Sequence, residues 1–364
     1  MNAEPLPHLR RTLCDLPGYQ PAEGVYGATP PRPLSANESP EAPPRQAVDA
    51  AVLAAATVHR YPDPGCTDLV AELARTYRIG PERFVAGAGS VALLQLLFQA
   101  VAGPGAEAVL ATPSFELYRP LAELAGVRPV PVPLVGHIHD LAAMAERITP
   151  RTRLVVVCDP NNPTGTTVPA AQLTAFLDRV PPACLVAIDQ AYAEYVRDPA
   201  AAPCLTSERP NVVVLRTFSK AYGLAGLRVG YLVGDARVVG QLRKGVLAYS
   251  VSTVAQAAAV AALREPARMH AVTDATVAER TRVGDVLLRA GWDVPPSQAN
   301  FLWLWLGDDA ERFGGWCAAR RIAVRPFAGQ GVRVTVGTPA DNDDFLAAAA
   351  AWRSAPSHEE AVPA

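Results

Sequence analysis

Short runs of continuously apolar residues alternate along the chain with longer stretches in which apolar residues recur every three or four positions. The apolar runs, rich in Val, Ile and Leu, predict strands at 83–90, 108–115, 127–134, 153–160, 184–189 and 211–220. The stretches between them predict helices at 43–61, 66–79, 91–102, 140–148 and 169–180. Strands that are apolar on both faces and are separated by helices are typical of a mostly parallel sheet covered on both sides. The sequence therefore predicts an α/β fold.

The pattern changes after about residue 235, where long helical stretches dominate. The clearest is 256–291, and strands at 300–307, 323–327 and 331–337 then surround a helix at 309–321. This order is typical of a smaller α+β unit. We therefore predict four parts: an N-terminal arm (1–45) that joins the small domain, a large domain (46–275), the small C-terminal domain (276–353) and a disordered tail (354–364).

Charge and cysteine content narrow the class of protein. The 33 Lys and Arg residues nearly balance the 35 Asp and Glu residues, and the net charge of −2 argues against a nucleic-acid-binding protein. The six cysteines include no Cys-x-x-Cys pair, so neither a metal site nor a redox motif is indicated. No apolar stretch has the length of a membrane span or the form of a signal peptide. We expect a cytoplasmic protein with reduced thiols.

Candidate chemistry lies directly after the predicted strands. Ligands of open α/β sheets bind at the carboxyl ends of the strands. Four of these ends carry unusual polar groups, at residues 87–90, 159–165, 189–192 and 217–220. We therefore expect a site in which these four segments meet.

The first segment, Gly-Ala-Gly-Ser, admits three interpretations. With the following Val-Ala it fits the dinucleotide pattern G-x-G-x-x-A, but the next strand ends in Thr112, Pro113 and Ser114 and lacks the acidic residue that would bind a ribose. A small-residue turn before a helix also presents backbone N–H groups to a single phosphate. A tight turn without a ligand is the third interpretation.

Lys220 is one of only two lysines in the chain. Lysine can be deprotonated and can form a Schiff base, which arginine cannot do. Lys220 follows an apolar strand, Ser219 precedes it, and Arg228 lies eight residues further on; the hydroxyl and the guanidinium are donors suited to a phosphate. A lysine at a strand end is more often a solvated surface residue, an interpretation that fits Lys244 well.

Asp189 ends a buried run, where an unpaired carboxylate is costly. It needs a cationic partner, and a protonated pyridine nitrogen would serve. A helix N-cap or an arginine partner is the alternative. Asn162 and Tyr192 could each donate a hydrogen bond to a phenolic oxygen on the same ring, although turn formation also explains the Asn-Asn-Pro-Thr-Gly segment.

Taken together, the sequence resembles the fold-type I aminotransferases, which use pyridoxal 5′-phosphate, and among them the histidinol-phosphate aminotransferase subfamily. The resemblance runs from about Leu16 to Trp352. It rests on these motifs: ANESP (36–40), YPDPG (61–65), GAGS (87–90), PSFELY (113–118), DPNNPTG (159–165), DQAY (189–192), TFSKAYGLAGLRVGY (217–231), SQANFLW (297–303) and VRVTVG (332–337).

The resemblance implies a role for each matching residue. The catalytic residues would be Lys220, as the Schiff-base lysine and proton shuttle, Asp189, as the partner of the pyridine nitrogen, and Tyr192. Further cofactor contacts are implied for Asn162 and Tyr192 at the ring 3-oxygen, Phe115 on the ring face, the Ser90 and Val91 amides, Ser219 and Arg228 at the phosphate, and Tyr61 from the other subunit of a homodimer. The substrate would be held by Asn37 and Arg333 at its carboxylate, with Arg325 and Tyr19 as candidates for its distal end.

The chain differs from the subfamily at two places. Val91-Ala92 replaces an Asp-Glu pair after the glycine-rich turn, and Gln190 replaces a Glu after Asp189. The segments GSVALLQ, SFELY and PPSQANF resemble instead the actinobacterial branch of aromatic amino acid (phenylalanine) aminotransferases. The implied reaction is transfer of an amino group from an aromatic L-amino acid to 2-oxoglutarate. Histidinol-phosphate transamination and decarboxylation of a phosphorylated amino acid are the alternatives.

Overall fold

The fold is built on a large central sheet. The structure is a computed structural model that describes residues 10–16, 18, 31–201, 205 and 209–354. In spatial order its central sheet contains β2 (Phe84–Gly87), β8 (Gly230–Val233), β7 (Val212–Thr217), β6 (Leu185–Asp189), β5 (Thr152–Cys158), β3 (Glu107–Thr112) and β4 (Arg128–Pro133). The strands from β7 to β4 run parallel, and β8 runs antiparallel to both of its neighbours. The predicted α/β fold with a mostly parallel sheet is confirmed.

Helices cover both faces of this sheet. One face carries α4 (Gly89–Ala100), α5 (Tyr118–Ala125) and α8 (Ala236–Leu242); the other carries α2 (Arg45–Ala55), α3 (Thr67–Tyr77), α6 (Leu141–Glu146), α7 (Ala170–Arg179) and α9 (Thr253–Leu263). Along β5, Leu154 and Val156 pack on the first face, and Val155 and Val157 pack on the second. Because successive strand residues point to opposite faces, a strand buried on both sides has the continuous apolar run seen in the sequence.

A second apolar core surrounds a small antiparallel sheet. That sheet has the order β11 (Arg325–Phe327), β12 (Gln330–Thr335) and β9 (Phe301–Gly307). Three helices complete this part of the chain: α10 (Pro266–Arg289), α11 (Ala310–Ala319) and α12 (Pro339–Ser354). The remaining elements are α1 (Arg11–Asp15) and the parallel pair β1 (Arg32–Pro33) and β10 (Ile322–Ala323), with 3-10 turns at Pro81–Arg83, Ala193–Tyr195, Pro199–Ala201, Ala225–Leu227 and Arg243–Gly245.

Several elements differ from the sequence prediction. The helix predicted at 256–291 is wrong as a single helix, because α9 ends at Leu263 and α10 begins at Pro266. Proline lacks the N–H that a continuous helix would use, whereas it is well suited to a first helical turn. The sequence patterns also missed the helices α5, α8 and α12, and the strand β8, whose four residues form an antiparallel strand between β2 and β7. Among the helices of the described residues, none combines the length and the apolar character needed to cross a bilayer.

Candidate active site

Three polar segments meet at one edge of the central sheet. Cys158 of β5 lies beside Asp189 of β6, and Asp189 lies beside Leu215 of β7, so these parallel strands end close together. Asn162 follows β5, and Lys220 follows β7. The polar groups therefore gather where the carboxyl ends of the strands meet, as expected for a ligand site in this fold.

The Lys220 amine lies among groups that favour its neutral form. Nζ donates a hydrogen bond to the Ala36 carbonyl oxygen at 3.0 Å and lies 5.9 Å from the centre of the Tyr192 ring. Burial, together with the positive charges of Arg333 and Arg228, lowers the pKa of Lys220 from 10.5 to about 7. An amine with this pKa can both accept and return a proton near neutral pH.

Asp189 is fully buried and is only partly satisfied by the protein. Its Oδ2 accepts a hydrogen bond from the Tyr118 hydroxyl at 2.7 Å, whereas Oδ1 is buried and has no hydrogen-bond partner. Burial raises the pKa of the Asp189 carboxyl, and the hydrogen bond from Tyr118 opposes that shift. The protonated nitrogen of a pyridine ring would supply the missing donor and the compensating charge, so this carboxylate fits such a group.

No sequence pattern indicates that Tyr118 donates a hydrogen bond to Asp189. The Tyr118 side chain is buried, and its ring lies edge-on to the Phe115 ring with centres 5.4 Å apart. Tyr118 is 71 residues away from Asp189 in the chain, so no local pattern could show the contact.

Asn37, Asn162 and Tyr192 form a connected network with Arg333. The Tyr192 hydroxyl accepts hydrogen bonds from Asn37 Nδ2 at 3.0 Å and Asn162 Nδ2 at 3.4 Å. Arg333 donates to Asn162 Oδ1 at 2.6 Å and to the Ser35 carbonyl oxygen at 2.5 Å. These side chains are buried. The network unites the segments at 36–40, 159–165, 189–192 and 332–337 that the sequence singled out separately.

A second cluster of donors lies at the start of α4. Arg228 Nη1 donates to Ser219 Oγ at 3.1 Å. A side chain at Gly89 is disfavoured by the positive φ of 79° there, and a Cβ would lie 2.5 Å from Arg228 Nη2, so the guanidinium would have to move. The N–H groups of the first helical turn, at Ser90 and Val91, have no acceptor within the helix. A hydroxyl, a guanidinium and these amides fit a phosphate group.

Three other residues of the predicted site lie at its margins or outside the described region. Arg325 donates to Glu116 Oε2 at 2.6 Å. Tyr61 is 82% exposed and stacks on Tyr249 with ring centres 4.7 Å apart, away from the buried network. Tyr19 lies outside the described residues.

Gln190, which replaces an acidic residue of the resembled subfamily, takes part in a separate buried pair. Its Oε1 accepts a hydrogen bond from Arg216 Nε at 3.2 Å, and Arg216 Nη1 pairs with Glu194 at 2.9 Å. The charge of Arg216 is therefore compensated by Glu194. As a result, the neutral residue at 190 adds no second negative charge next to Asp189.

Comparison with known proteins places the chain in a family. Residues 32–348 match the family model described as aminotransferase class I and II. The aromatic amino acid aminotransferase of Thermobifida fusca is 50% identical over 94% of this chain and 96% of its own length. That of Mycobacteroides abscessus is 49% identical over 95% of this chain and 99% of its own. Histidinol-phosphate aminotransferase from Sinorhizobium meliloti, solved in complex with pyridoxal 5′-phosphate, is 28% identical with a TM-score of 0.89, covering 96% and 99% of the two chains.

The chain therefore belongs to the class I and II aminotransferases. The enzyme class predicted from the sequence is confirmed, and the cofactor of this family is pyridoxal 5′-phosphate. The geometry fits that group at three points: the Lys220 amine, the bare Oδ1 of Asp189, and the donors around Gly89.

Proposed function

We propose that the enzyme transfers the amino group of an aromatic L-amino acid to 2-oxoglutarate, yielding the aromatic 2-oxo acid and L-glutamate. The observation that carries this proposal is the identity of about half of the residues, over 94% of the chain, with aromatic amino acid aminotransferases. The buried network around Lys220 supports the same reaction, because it places a proton-transferring amine beside a site for a carboxylate.

The cofactor would be held at each of its ends. Asp189 would pair with the ring nitrogen, and Asn162 and Tyr192 would face the ring 3-oxygen. The ring face would rest on Phe115, and the phosphate would be bound by Ser219, Arg228 and the Ser90 and Val91 amides. When bound, pyridoxal 5′-phosphate supplies an electron sink for the charge that develops at the substrate Cα.

Lys220 would move the proton in this reaction. Its amine has a pKa of about 7, so a large fraction of it is neutral near pH 7 and can take the proton from the substrate Cα. Arg333 and Asn37 would orient the substrate by its carboxylate, since a guanidinium binds a carboxylate with two parallel hydrogen bonds. Fixing the carboxylate holds Cα within reach of a single base, which is how positioning contributes to rate.

We infer that two copies of the chain form the active enzyme, in the cytoplasm, and that Tyr61 reaches the phosphate of the other subunit's cofactor. The exposed ring of Tyr61, stacked on Tyr249, supports this inference, and nearby Leu53 is 75% exposed. Large apolar side chains left in water mark interaction surfaces.

We also propose the domain division predicted from the sequence, with a cofactor-binding part at 46–275 and a small part at 276–353. Two features support it. The apolar core around β9, β11 and β12 is separate from the cores on the central sheet. In addition, β1 of the N-terminal arm pairs with β10.

A substrate panel tests the proposed function. Initial rates with 2-oxoglutarate as acceptor should give a higher kcat/KM for phenylalanine and tyrosine than for histidinol phosphate. Release of carbon dioxide from O-phosphothreonine is measured in parallel. A preference for histidinol phosphate, or decarboxylation in place of transamination, would replace the proposed function with one of those activities.

A further inference from the structure

An ion pair connects the small sheet to the central sheet beside the network of Arg333. Arg325 of β11 lies directly across from Arg333 of β12. Residues directly opposite each other in an antiparallel pair point to the same face of the sheet. Arg325 and Arg333 therefore share a face, and Arg333 reaches Asn162 in the active site. Arg325 is therefore a second positive charge beside Arg333 on this face of the sheet.

The partner of Arg325 comes from the loop after β3. Glu116 follows Phe115, and its Oε2 accepts a hydrogen bond from Arg325 Nη2 at 2.6 Å. The Arg325 side chain is 17% exposed and the Glu116 side chain is 30% exposed, so the ion pair is partly removed from water. Charges in such a position interact more strongly than charges on an open surface. Glu116 therefore offsets much of the positive potential that Arg325 alone would present.

The surroundings of Arg325 are aromatic on the same side of the sheet. Phe327 lies two residues along β11, so its side chain shares the face of Arg325. The Phe327 ring packs edge-on against the Trp303 ring with centres 5.4 Å apart. This face therefore combines aromatic rings with a charge-neutral Arg–Glu pair.

We propose that Glu116 is a specificity-determining residue that selects against amino donors in which a phosphate ester takes the place of the α-carboxylate, as in histidinol phosphate. A phosphate dianion that approached Arg325 would also approach the Glu116 carboxylate, and like charges brought together oppose binding. The smaller carboxylate of an aromatic amino acid has a single negative charge, so its penalty is lower. Rejection of a competitor by an unfavourable charge is a recognised route to specificity. The inference rests on the proposed function, since it concerns the choice between aromatic and phosphorylated donors.

Glu116→Gln tests the proposal with little change in shape. The glutamine Oε1 can still accept the hydrogen bond from Arg325, so the variant removes the charge and keeps the contact. The measurement is kcat/KM for histidinol phosphate and for phenylalanine with the same enzyme preparation. The ratio of the two values should rise by about tenfold or more in favour of histidinol phosphate. Because both substrates are assayed together, the ratio does not depend on the folded fraction.

Glu123→Gln is the matched control. Glu123 pairs with Arg119 at 2.8 Å in α5, so the variant removes the same charge and also one ion pair from a nearby helix. Its substrate ratio should equal that of the wild type. Glu116→Asp, which retains the charge, should also keep the wild-type preference, and Glu116→Ser should shift the ratio in the same direction as Glu116→Gln.

The outcomes separate this inference from the proposed function. A wild-type enzyme that prefers histidinol phosphate would overturn both. A wild-type enzyme that prefers phenylalanine, with a ratio unchanged in Glu116→Gln and Glu116→Ser, would overturn the role of Glu116 alone. An equal shift in Glu123→Gln would also overturn it, because a general change in net charge would then explain the result.

Discussion

The lowered pKa of Lys220 makes the stability of the cofactor-free protein depend on pH in a defined direction. The pKa is about 7 in the folded chain, against 10.5 for an ordinary lysine. At about 1.36 kcal/mol per pH unit, this difference of about 3.5 corresponds to a folding cost of nearly 5 kcal/mol for the charged form. Below pH 7 both the folded and unfolded chains bind the proton, and the cost is fully present. As the pH rises from 7 to 10.5, the folded chain releases the proton from Lys220 and the unfolded chain keeps it. The folding cost of the charged amine therefore falls over this range and is absent above pH 10.5.

Lys220→Met should therefore stabilise the cofactor-free protein more at and below neutral pH than at alkaline pH. Methionine fills a similar volume without a charge, so the variant should have a free energy of unfolding higher than that of the wild type by up to about 4 kcal/mol at pH 7. From pH 7 to pH 9 this difference should narrow by about 2 kcal/mol. Urea-induced unfolding of both proteins at several pH values measures this difference in the free energy of unfolding. Other titrating groups contribute equally to both proteins, so their contributions cancel in the difference.

Lys244→Met is the control for this experiment. Lys244 is exposed and donates to Gln241 Oε1 at 2.7 Å, so its replacement removes the same charge from the surface and leaves the active site unchanged. A difference between Lys220→Met and the wild type that is constant from pH 7 to pH 9 would refute the reasoning. In that case the Lys220 amine would be hydrated as freely as the Lys244 amine.

Two further predictions concern Tyr118, which contacts Asp189, and Arg333. Tyr118→Phe removes the donor that stabilises the ionised form of Asp189, so cofactor should bind about tenfold more weakly in an equilibrium titration, as expected for a hydrogen bond to a charged group. Tyr195→Phe is the control: it removes a buried hydroxyl without a partner and should leave the cofactor affinity unchanged. Equal effects of the two variants would contradict the role of Tyr118. Arg333→Ala should weaken substrate binding by about 2–5 kcal/mol, because the substrate carboxylate loses its charged partner; a fall in kcat without a rise in KM would contradict this.

Much of the central sheet could be predicted from the sequence because its signals are local. A strand buried on both faces has a continuous apolar run, as in β5, and the polar residues that follow such runs lie at one edge by the geometry of parallel strands. Asp189 and Lys220 could be singled out on this ground. Their roles were implied by resemblance to a family.

Several features that escaped prediction depend on contacts between distant segments. The four residues of β8 form a strand because β2 and β7 flank them, and no periodicity marks so short a run. The bond from Tyr118 to Asp189 and the pairing of Arg325 with Glu116, 209 residues apart, depend on how the chain folds back on itself. The break before Pro266, in contrast, has a local cause in proline chemistry that could have been recognised.

The hydrogen bonds of Arg333 have a consequence for product departure. Its guanidinium donates to Asn162 and to the Ser35 carbonyl oxygen. Under the proposed role, a substrate carboxylate competes with these acceptors for the N–H groups of Arg333, and where it displaces one of them the net gain is smaller than the strength of the new contact. The 2-oxo acid product has the same carboxylate as the substrate. Because the displaced acceptors remain beside Arg333 and can re-form their bonds, they compete with the product and favour its release after each turnover.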